Sequence, residues 1–142
     1  MTDEAEIANL VYGYAERMDA GDFDGAARLF EHAEIVLTPD GATTTDAAGI
    51  LELWRSMVIV HGDGTPRTKH VTTNLIVEIG GDTATCRSYY TVLQQVGDGP
   101  LSPIVAGRYH DSFERVDGNW RFSRRDLSMM DLVGDVSQHL RR

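Results

Sequence analysis

Four long segments rich in β-branched and aromatic residues fill most of the chain after residue 68, and they constrain its fold more than any other feature. They read KHVTTNLIVEI, TATCRSYYTVLQQV, PIVAGRYHDSFERV and NWRFSRRDLSMMDLV, and residues of these types are typical of strands. The breaks between them include GGD, GDGP and DG. The last of these, Asp117-Gly118, is a strong signal for a tight hairpin. The segments therefore predict a meander of long antiparallel strands.

The first part of the chain has the residue spacing of helices. Residues 3–20 carry a stripe of apolar side chains at three- and four-residue intervals: Ile7, Leu10, Val11, Tyr14 and Met18. Gly21 is suited to end this helix, and Asp22 is suited to cap a second, short helix, FDGAARLFEH. A short strand, AEIVLTP, follows. The segment TTTDAAGILELWRSMV then predicts a third helix capped by Thr44 or Thr45.

Helices followed by long strands predict an α+β fold in one domain that spans residues 1–142. We expect a cone-shaped, curved, mostly antiparallel sheet wrapped around the N-terminal helices. A chain of this size buries a core without metals or disulfides. Helices across the mouth of a curved sheet leave a conical pocket, which is a common place for a small-molecule site.

Composition excludes several classes of partner. The formal net charge is −9, which disfavours nucleic acid and anionic membrane surfaces. No apolar run approaches the roughly 20 residues of a membrane span, and the acidic start of the chain does not resemble a signal peptide. A single cysteine, Cys86, fits a reducing compartment, so we expect the cytoplasm. The five histidines show no paired ligand spacing, so we expect no metal and no cofactor.

Two polar residues stand out against this background, and each has a structural and a functional interpretation. Asp19 lies in the last turn of the first helix, where the helix dipole disfavours a carboxylate; it is either a solvated side chain or a functional one. His70 opens a long strand and is either a structural hydrogen-bonding group or a base that faces the pocket. Alternation places His70 on a polar face, followed by Thr72, Asn74 and Ile76. The opposite, more apolar face carries Val71, Thr73, Leu75 and Val77.

Three stretches carry a resemblance that covers nearly the whole chain. They are YAERMDAGDFDGAARLF, PRTKHVTTNLIVEI and GRYHDSFERVDGNWRFSRR, in that order. The chain resembles the nuclear-transport-factor-2-like superfamily, whose fold is a cystatin-like α+β barrel. Within it, the chain is most similar to the SnoaL-like group and the branch that holds scytalone dehydratase, hexachlorocyclohexane dehydrochlorinase and bile-acid 7α-dehydratase. In this branch an aspartate ending the first helix and a histidine opening a strand form a catalytic dyad.

The resemblance implies that Asp19 and His70 are the dyad and that Arg125, in WRFSRR, is a pocket arginine. Tyr14 and Met18 replace an auxiliary lysine and tyrosine of the relatives. A second histidine of the branch is missing near Ala106, although His110 lies four residues on. A substrate would be expected to contact a further set of residues: Tyr12, Met18, Trp54, Met57, Asn74, Arg108 and His110. Trp54 and Met57 also suit core packing, and so does Tyr14. Arg125 also suits an exposed charge or an interface ion pair.

The residue types suggest a reaction. Neutral His70 would remove a proton beside a carbonyl, and Asp19 would fix its tautomer and stabilise the imidazolium. Tyr14, Tyr12 or Arg125 would stabilise the enolate. These parts fit a cofactor-independent lyase of the dehydratase type, or an isomerase, acting on a small cyclic or polycyclic substrate. The alternative is a non-catalytic protein that binds a small ligand or supports assembly.

We also expect a homo-oligomer, either a dimer or a trimer. A set of strand residues is too apolar to be left wholly exposed to water: Tyr89, Thr91, Leu93, Tyr109 and Phe113. These side chains predict that the copies associate through the sheet.

Overall fold

The computed structural model describes residues 1–141 and has the expected α+β architecture. Within that part of the chain the elements follow in the order α1 (Asp3–Asp19), α2 (Phe23–Arg28), β1 (Glu34–Val36), β2 (Thr44–Thr45), α3 (Ala47–Met57), β3 (Thr68–Gly80), β4 (Thr83–Gln94), β5 (Ser102–Val116), β6 (Asn119–Asp126) and β7 (Leu132–Val133). No helix among these residues is long and apolar enough to cross a membrane.

The strands form one curved sheet that is not closed into a barrel. Its order is β2-β1-β6-β5-β4-β3, and β7 pairs with β5 off this path. All neighbours are antiparallel except β1 and β6. Asp117 and Gly118 both have positive φ and join β5 to β6 as the two-residue hairpin predicted from the sequence. The predicted meander of long antiparallel strands is confirmed.

The core lies between the inner face of this sheet and the three helices. The α1 stripe is buried there, with Ile7, Val11, Tyr14 and Met18 all at most 4% exposed. Burial of each such side chain contributes roughly 1.5–3 kcal/mol to the stability of the fold. This contribution keeps α1 packed across the sheet.

The end of α1 is fixed by its backbone, and this determines where Asp19 lies. Gly21 has φ +76°, and its N–H donates to the carbonyl of Met18 at 3.1 Å. The N–H of Asp22 donates to the carbonyl of Arg17 at 2.9 Å. This pair of bonds is a Schellman cap, which needs a left-handed residue at the glycine position. The cap stops the helix just after Asp19 and leaves that carboxylate facing the start of β3.

A bulge in β3 corrects the predicted division of this strand into two faces. The register with β4 shifts between Thr73 and Ile76, and Asn74 has φ +57°. Before the bulge, the more buried positions are Thr68, His70 and Thr72. After it, they are Leu75, Val77 and Ile79. Strict alternation was therefore wrong beyond Thr73, because one extra residue exchanges the two faces of a strand.

Two other boundaries differ from the sequence-based prediction. Asp46, rather than Thr44 or Thr45, caps α3, and its carboxylate accepts a hydrogen bond from the N–H of Gly49 at 2.9 Å. The two threonines form β2 instead. The last predicted strand is also interrupted: β6 ends at Asp126, whose carboxylate accepts from the backbone N–H of Ser128 at 2.8 Å in a local turn.

The side chains proposed to drive assembly lie on different faces of the sheet. Tyr109 and Phe113 are 4% and 1% exposed, because they point into the core. Tyr89 is 54% exposed on the convex face. Including Tyr109 and Phe113 in an outer patch was therefore wrong, while association through the convex face stays a prediction.

Candidate active site

Asp19 and His70 are joined where α1 crosses the start of β3. His70 Nδ1 lies 2.6 Å from Asp19 Oδ1, as predicted for the pair. The same carboxylate accepts the backbone N–H of His70 at 2.8 Å and the hydroxyl of Thr68 at 2.9 Å. The Asp19 and His70 side chains are only 11% and 8% exposed. Three donors therefore hold the carboxylate in one orientation and offset its unfavourable place at the helix C-terminus.

This geometry determines which nitrogen of His70 is basic. An ionised carboxylate only accepts hydrogen bonds, so Nδ1 of His70 must donate to Asp19 and carry the ring proton. In the neutral imidazole the other nitrogen, Nε2, then has a free lone pair. Within residues 1–141, Nε2 makes no hydrogen bond to the protein. The arrangement leaves His70 Nε2 as an unoccupied proton acceptor.

His70 stands between two concavities. The outer cleft is open and contacts polar and charged side chains, among them Glu16 and Lys69, and it also reaches Asp19. The inner cavity lies between the helices and the sheet and has a volume of about 280 Å³. His70 lines this cavity but Asp19 does not, so the imidazole separates the carboxylate from it. The ring nitrogen not bonded to Asp19 is therefore the one available to a molecule inside.

The inner cavity has the properties of a site for an apolar molecule. Its walls hold no aspartate, glutamate, lysine or arginine among the described residues. Most of the lining is aliphatic or aromatic, while Leu53 and Met130 are 40% and 44% exposed and mark its mouth. Apolar walls lower the local dielectric constant, which strengthens any hydrogen bond made inside the cavity.

Three buried tyrosines form part of the wall of this cavity. Tyr14, Tyr90 and Tyr109 all line it, and the rings of Tyr90 and Tyr109 stack with centroids 4.4 Å apart. Burial raises the pKa of Tyr14, raises that of Tyr90 to about 12, and raises that of Tyr109 well above its usual value. The three phenols therefore stay protonated at neutral pH and can donate hydrogen bonds.

Arg125 lies beneath the cavity rather than in its wall. It is fully buried and forms a bidentate pair with Asp111 at 2.7 and 2.9 Å. Its guanidinium carbon lies 3.9 Å from the ring centroid of Tyr109 and 4.5 Å from that of Tyr14. Arg125 is not part of the cavity lining, so the tyrosine rings stand between it and a ligand. Direct contact between Arg125 and a substrate, which the sequence suggested, has no support in this geometry.

The remaining predicted site residues, catalytic and substrate-binding, divide into two groups. Tyr14, Met18, Trp54 and Met57 line the cavity. Four others lie outside it: Tyr12, Asn74, Arg108 and His110. Tyr12 is 46% exposed and borders the outer cleft.

The other three lie away from the cavity for local reasons. The β3 bulge exposes Asn74 to solvent. Arg108 pairs with Asp131 at 2.8 Å, and His110 is exposed next to it on the convex face, because alternate β5 residues point away from the helices.

The sequence interpretation missed Tyr90, Tyr109 and His139 as cavity residues. The first two share the inner faces of β4 and β5, so strand alternation combined with a known inner face would have found them. His139 lies in the irregular segment after β7, where no periodicity indicates which side chains are buried. Among residues 1–141, no cluster of three or more histidine, cysteine or acidic side chains is arranged to hold a metal ion.

Comparison with known proteins agrees with this architecture. A family model described as the SnoaL-like domain matches residues 1–126. Among curated proteins, none matches the chain.

Three solved structures illustrate the similarity. A nuclear-transport-factor-2-like protein with a cystatin-like fold from Novosphingobium aromaticivorans is 26% identical, with a TM-score of 0.72 over 96% of this chain and 86% of its own. A protein from the same organism, provisionally named an aromatic ring hydroxylase, is 28% identical with a TM-score of 0.71 over 96% and 95%. A third, provisionally named a scytalone dehydratase, is 22% identical with a TM-score of 0.67 over 90% and 84%, and its likeness shows the fold alone.

Proposed function

The chain belongs to the SnoaL-like domain family, and we propose that it is a cofactor-independent lyase of the dehydratase type, or an isomerase, that acts on a small cyclic substrate. The observation that carries this proposal is the 2.6 Å contact between His70 Nδ1 and Asp19 Oδ1 at the edge of an apolar cavity. It supplies a base that is held in one tautomer next to an apolar space.

The proposed reaction begins with proton removal. His70 Nε2 takes a proton from a carbon beside a substrate carbonyl, and the C–H electron pair becomes the enolate. Asp19 stabilises the imidazolium through Nδ1 but does not touch the substrate, so it is a positioning residue. In an elimination, the enolate expels a β-hydroxyl group, which leaves as water with the proton from His70. In an isomerisation, the same proton returns to a different carbon.

The developing negative charge requires hydrogen-bond donors in the cavity. Tyr14 is the closest candidate to the base, because its ring lies 6.2 Å from that of His70, centroid to centroid. The Arg125 guanidinium behind it acts only through the tyrosine ring, since it does not reach the cavity. A preorganised donor of this kind typically contributes about 10²–10³ in rate.

Proton exchange at a model ketone tests this proposal without knowledge of the natural substrate. α-Tetralone, a bicyclic ketone, is incubated in deuterated buffer, and deuterium uptake beside its carbonyl is followed by NMR. Deuterium uptake with the wild-type protein should be faster than in buffer alone. His70→Ala should lower the protein-catalysed rate by about 10²–10⁴-fold. His110→Ala, which alters an exposed histidine outside the cavity, is the matched control.

A second candidate, ligand binding without catalysis, has one observation in its favour. Arg125 is buried under the cavity floor with Asp111, and no lysine or arginine lines the cavity among the described residues, so no such cation contacts a developing enolate. Tight binding of α-tetralone with no exchange above buffer would favour this candidate and contradict the lyase or isomerase.

Assembly and location are further proposals. A homodimer or homotrimer formed through the convex face would cover exposed apolar side chains such as Tyr89, Val71 and Ile76. Light scattering at micromolar concentration should report more than a monomer. We expect the protein in the cytoplasm, because its single cysteine needs no oxidising compartment.

A further inference from the structure

His139 is a second imidazole in the cavity, and the proposed reaction leaves it without a role. It is 8% exposed and contributes to the cavity wall together with His70. Its Nδ1 atom is buried and has no hydrogen-bond partner among residues 1–141. A buried polar atom without a partner costs roughly 1–3 kcal/mol, so an unpaired nitrogen at this place needs a physical reason.

The backbone around His139 holds the ring firmly in place. The carbonyl of His139 accepts the N–H of Ile59 at 2.7 Å, and its own N–H donates to the carbonyl of Val136 at 3.0 Å. Leu140 forms a bridge to Val58, and the N–H of Arg141 donates to the carbonyl of Met57 at 2.7 Å. These bonds tie the end of the chain to the end of α3. The unpaired nitrogen is therefore part of a fixed wall and does not belong to a loose terminus.

The electrostatic surroundings keep this ring uncharged. Burial, together with the positive charge on a protonated His70, lowers the pKa of His139 to about 4. When His70 carries a proton, His139 therefore stays neutral. A neutral imidazole nitrogen pairs with an oxygen, either accepting from a hydroxyl group or donating to a carbonyl.

We propose that His139 binds the ligand, and that its imidazole pairs with an uncharged hydroxyl or carbonyl oxygen on an apolar cyclic molecule. The absence of charged side chains from the described lining disfavours an ionic ligand, which would lose its hydration without compensation. A cavity of about 150 Å³ holds one benzene ring, so the volume here, about 280 Å³, suits a bicyclic compound. This inference rests on the proposed use of the cavity as a ligand site, but it does not require catalysis.

A pair of probes that differ by one oxygen tests the assignment. α-Tetralone carries a carbonyl, and tetralin has the same two rings without oxygen. Calorimetric titration of the wild-type protein should show tighter binding of α-tetralone. In the variant His139→Phe, the ratio of the affinities for α-tetralone and tetralin should fall about two- to tenfold, which is the value of one hydrogen bond. Its affinity for tetralin should stay the same. His110→Gln should change neither affinity, and a carboxylate derivative of tetralin should bind at least tenfold more weakly than α-tetralone.

The ring nitrogens give a second measurement that needs no variant. In the wild-type protein with labelled histidine, α-tetralone should move the ring-nitrogen resonances of His139, whereas tetralin should not. The assignment would be overturned by an unchanged preference in His139→Phe, or by a His139 resonance that does not shift when α-tetralone binds. Binding of neither probe would also overturn it. Failure of the lyase proposal has a different signature: α-tetralone binds and engages His139, but no deuterium enters it.

Discussion

Replacement of His139 should change how the stability of the protein responds to acid. In the unfolded chain this histidine titrates near its usual pKa of 6.5, and in the folded protein burial lowers the pKa to about 4. Between these values the unfolded chain binds a proton that the folded protein does not. The free energy of unfolding therefore falls as the pH falls through this window, and the loss is complete below about pH 4.

The size of the effect follows from the two pKa values. A difference of about 2.5, at about 1.36 kcal/mol for each pH unit, gives about 3 kcal/mol. His139→Phe removes the titrating group and keeps a ring in the cavity wall. Urea unfolding at a series of pH values between 4 and 7.5 should show that the wild-type protein loses about 3 kcal/mol more than the variant on acidification.

The control must separate His139 from the other titrating groups near it. His70, His61 and Asp19 also act on its pKa, and they remain in both proteins, so the difference between wild type and variant isolates the replaced ring. His110→Gln, which replaces an exposed histidine outside the cavity, is measured alongside as the matched control. Parallel stability curves for wild type and His139→Phe would refute the claim that the ring is buried neutral.

Three further outcomes test the structure. Arg125→Met should lower the free energy of unfolding by about 3–5 kcal/mol, because it leaves the Asp111 carboxylate buried without a partner. Adding Asp111→Leu should recover part of this loss in urea unfolding, and strictly additive losses would count against the pair. Cys86, which is buried and has a pKa raised to about 11 by desolvation, should resist a thiol-specific reagent at neutral pH until the protein unfolds; rapid labelling of the folded protein would contradict this. Asn74→Val should lower stability by about 1–2 kcal/mol, since a β-branched residue is strained at φ +57°, whereas Asn74→Gly should be nearly neutral in thermal unfolding; equal stability of the two variants would argue against the bulge.

Much of the fold was predictable because local patterns and tertiary structure agree in this chain. The α1 stripe, the Gly21 stop and the Asp117-Gly118 hairpin each follow from short-range rules, and each is present. The β3 bulge was not predictable, because Asn74 gives no signal that distinguishes a bulge from a continuing strand. That one residue exchanges the faces of the strand, and it removes Asn74 from the face of His70, where simple alternation placed it.

The candidate site was predictable where sequence placed a residue at the end of an element. Asp19 and His70 lie at such ends, the family resemblance implied that they pair, and the structure brings them together. Arg125 shows the opposite case. The position of Arg125 in β6 makes its side chain point inward. Its burial against Asp111 depends in addition on the pairing of β5 with β6, which sets these two residues opposite each other. His139 depends on how the end of the chain packs against α3, and no local pattern encodes that packing.

The tautomer of His70 is the most direct test of the central claim, that Asp19 holds this imidazole with a basic nitrogen facing the cavity. Nitrogen NMR at about pH 8, where an unperturbed imidazole is neutral, reports which ring nitrogen carries the proton. The geometry predicts a protonated Nδ1 and a bare Nε2 in the wild-type protein, and loss of this preference in Asp19→Asn. A proton on Nε2, or the same signals in both proteins, would contradict the claim.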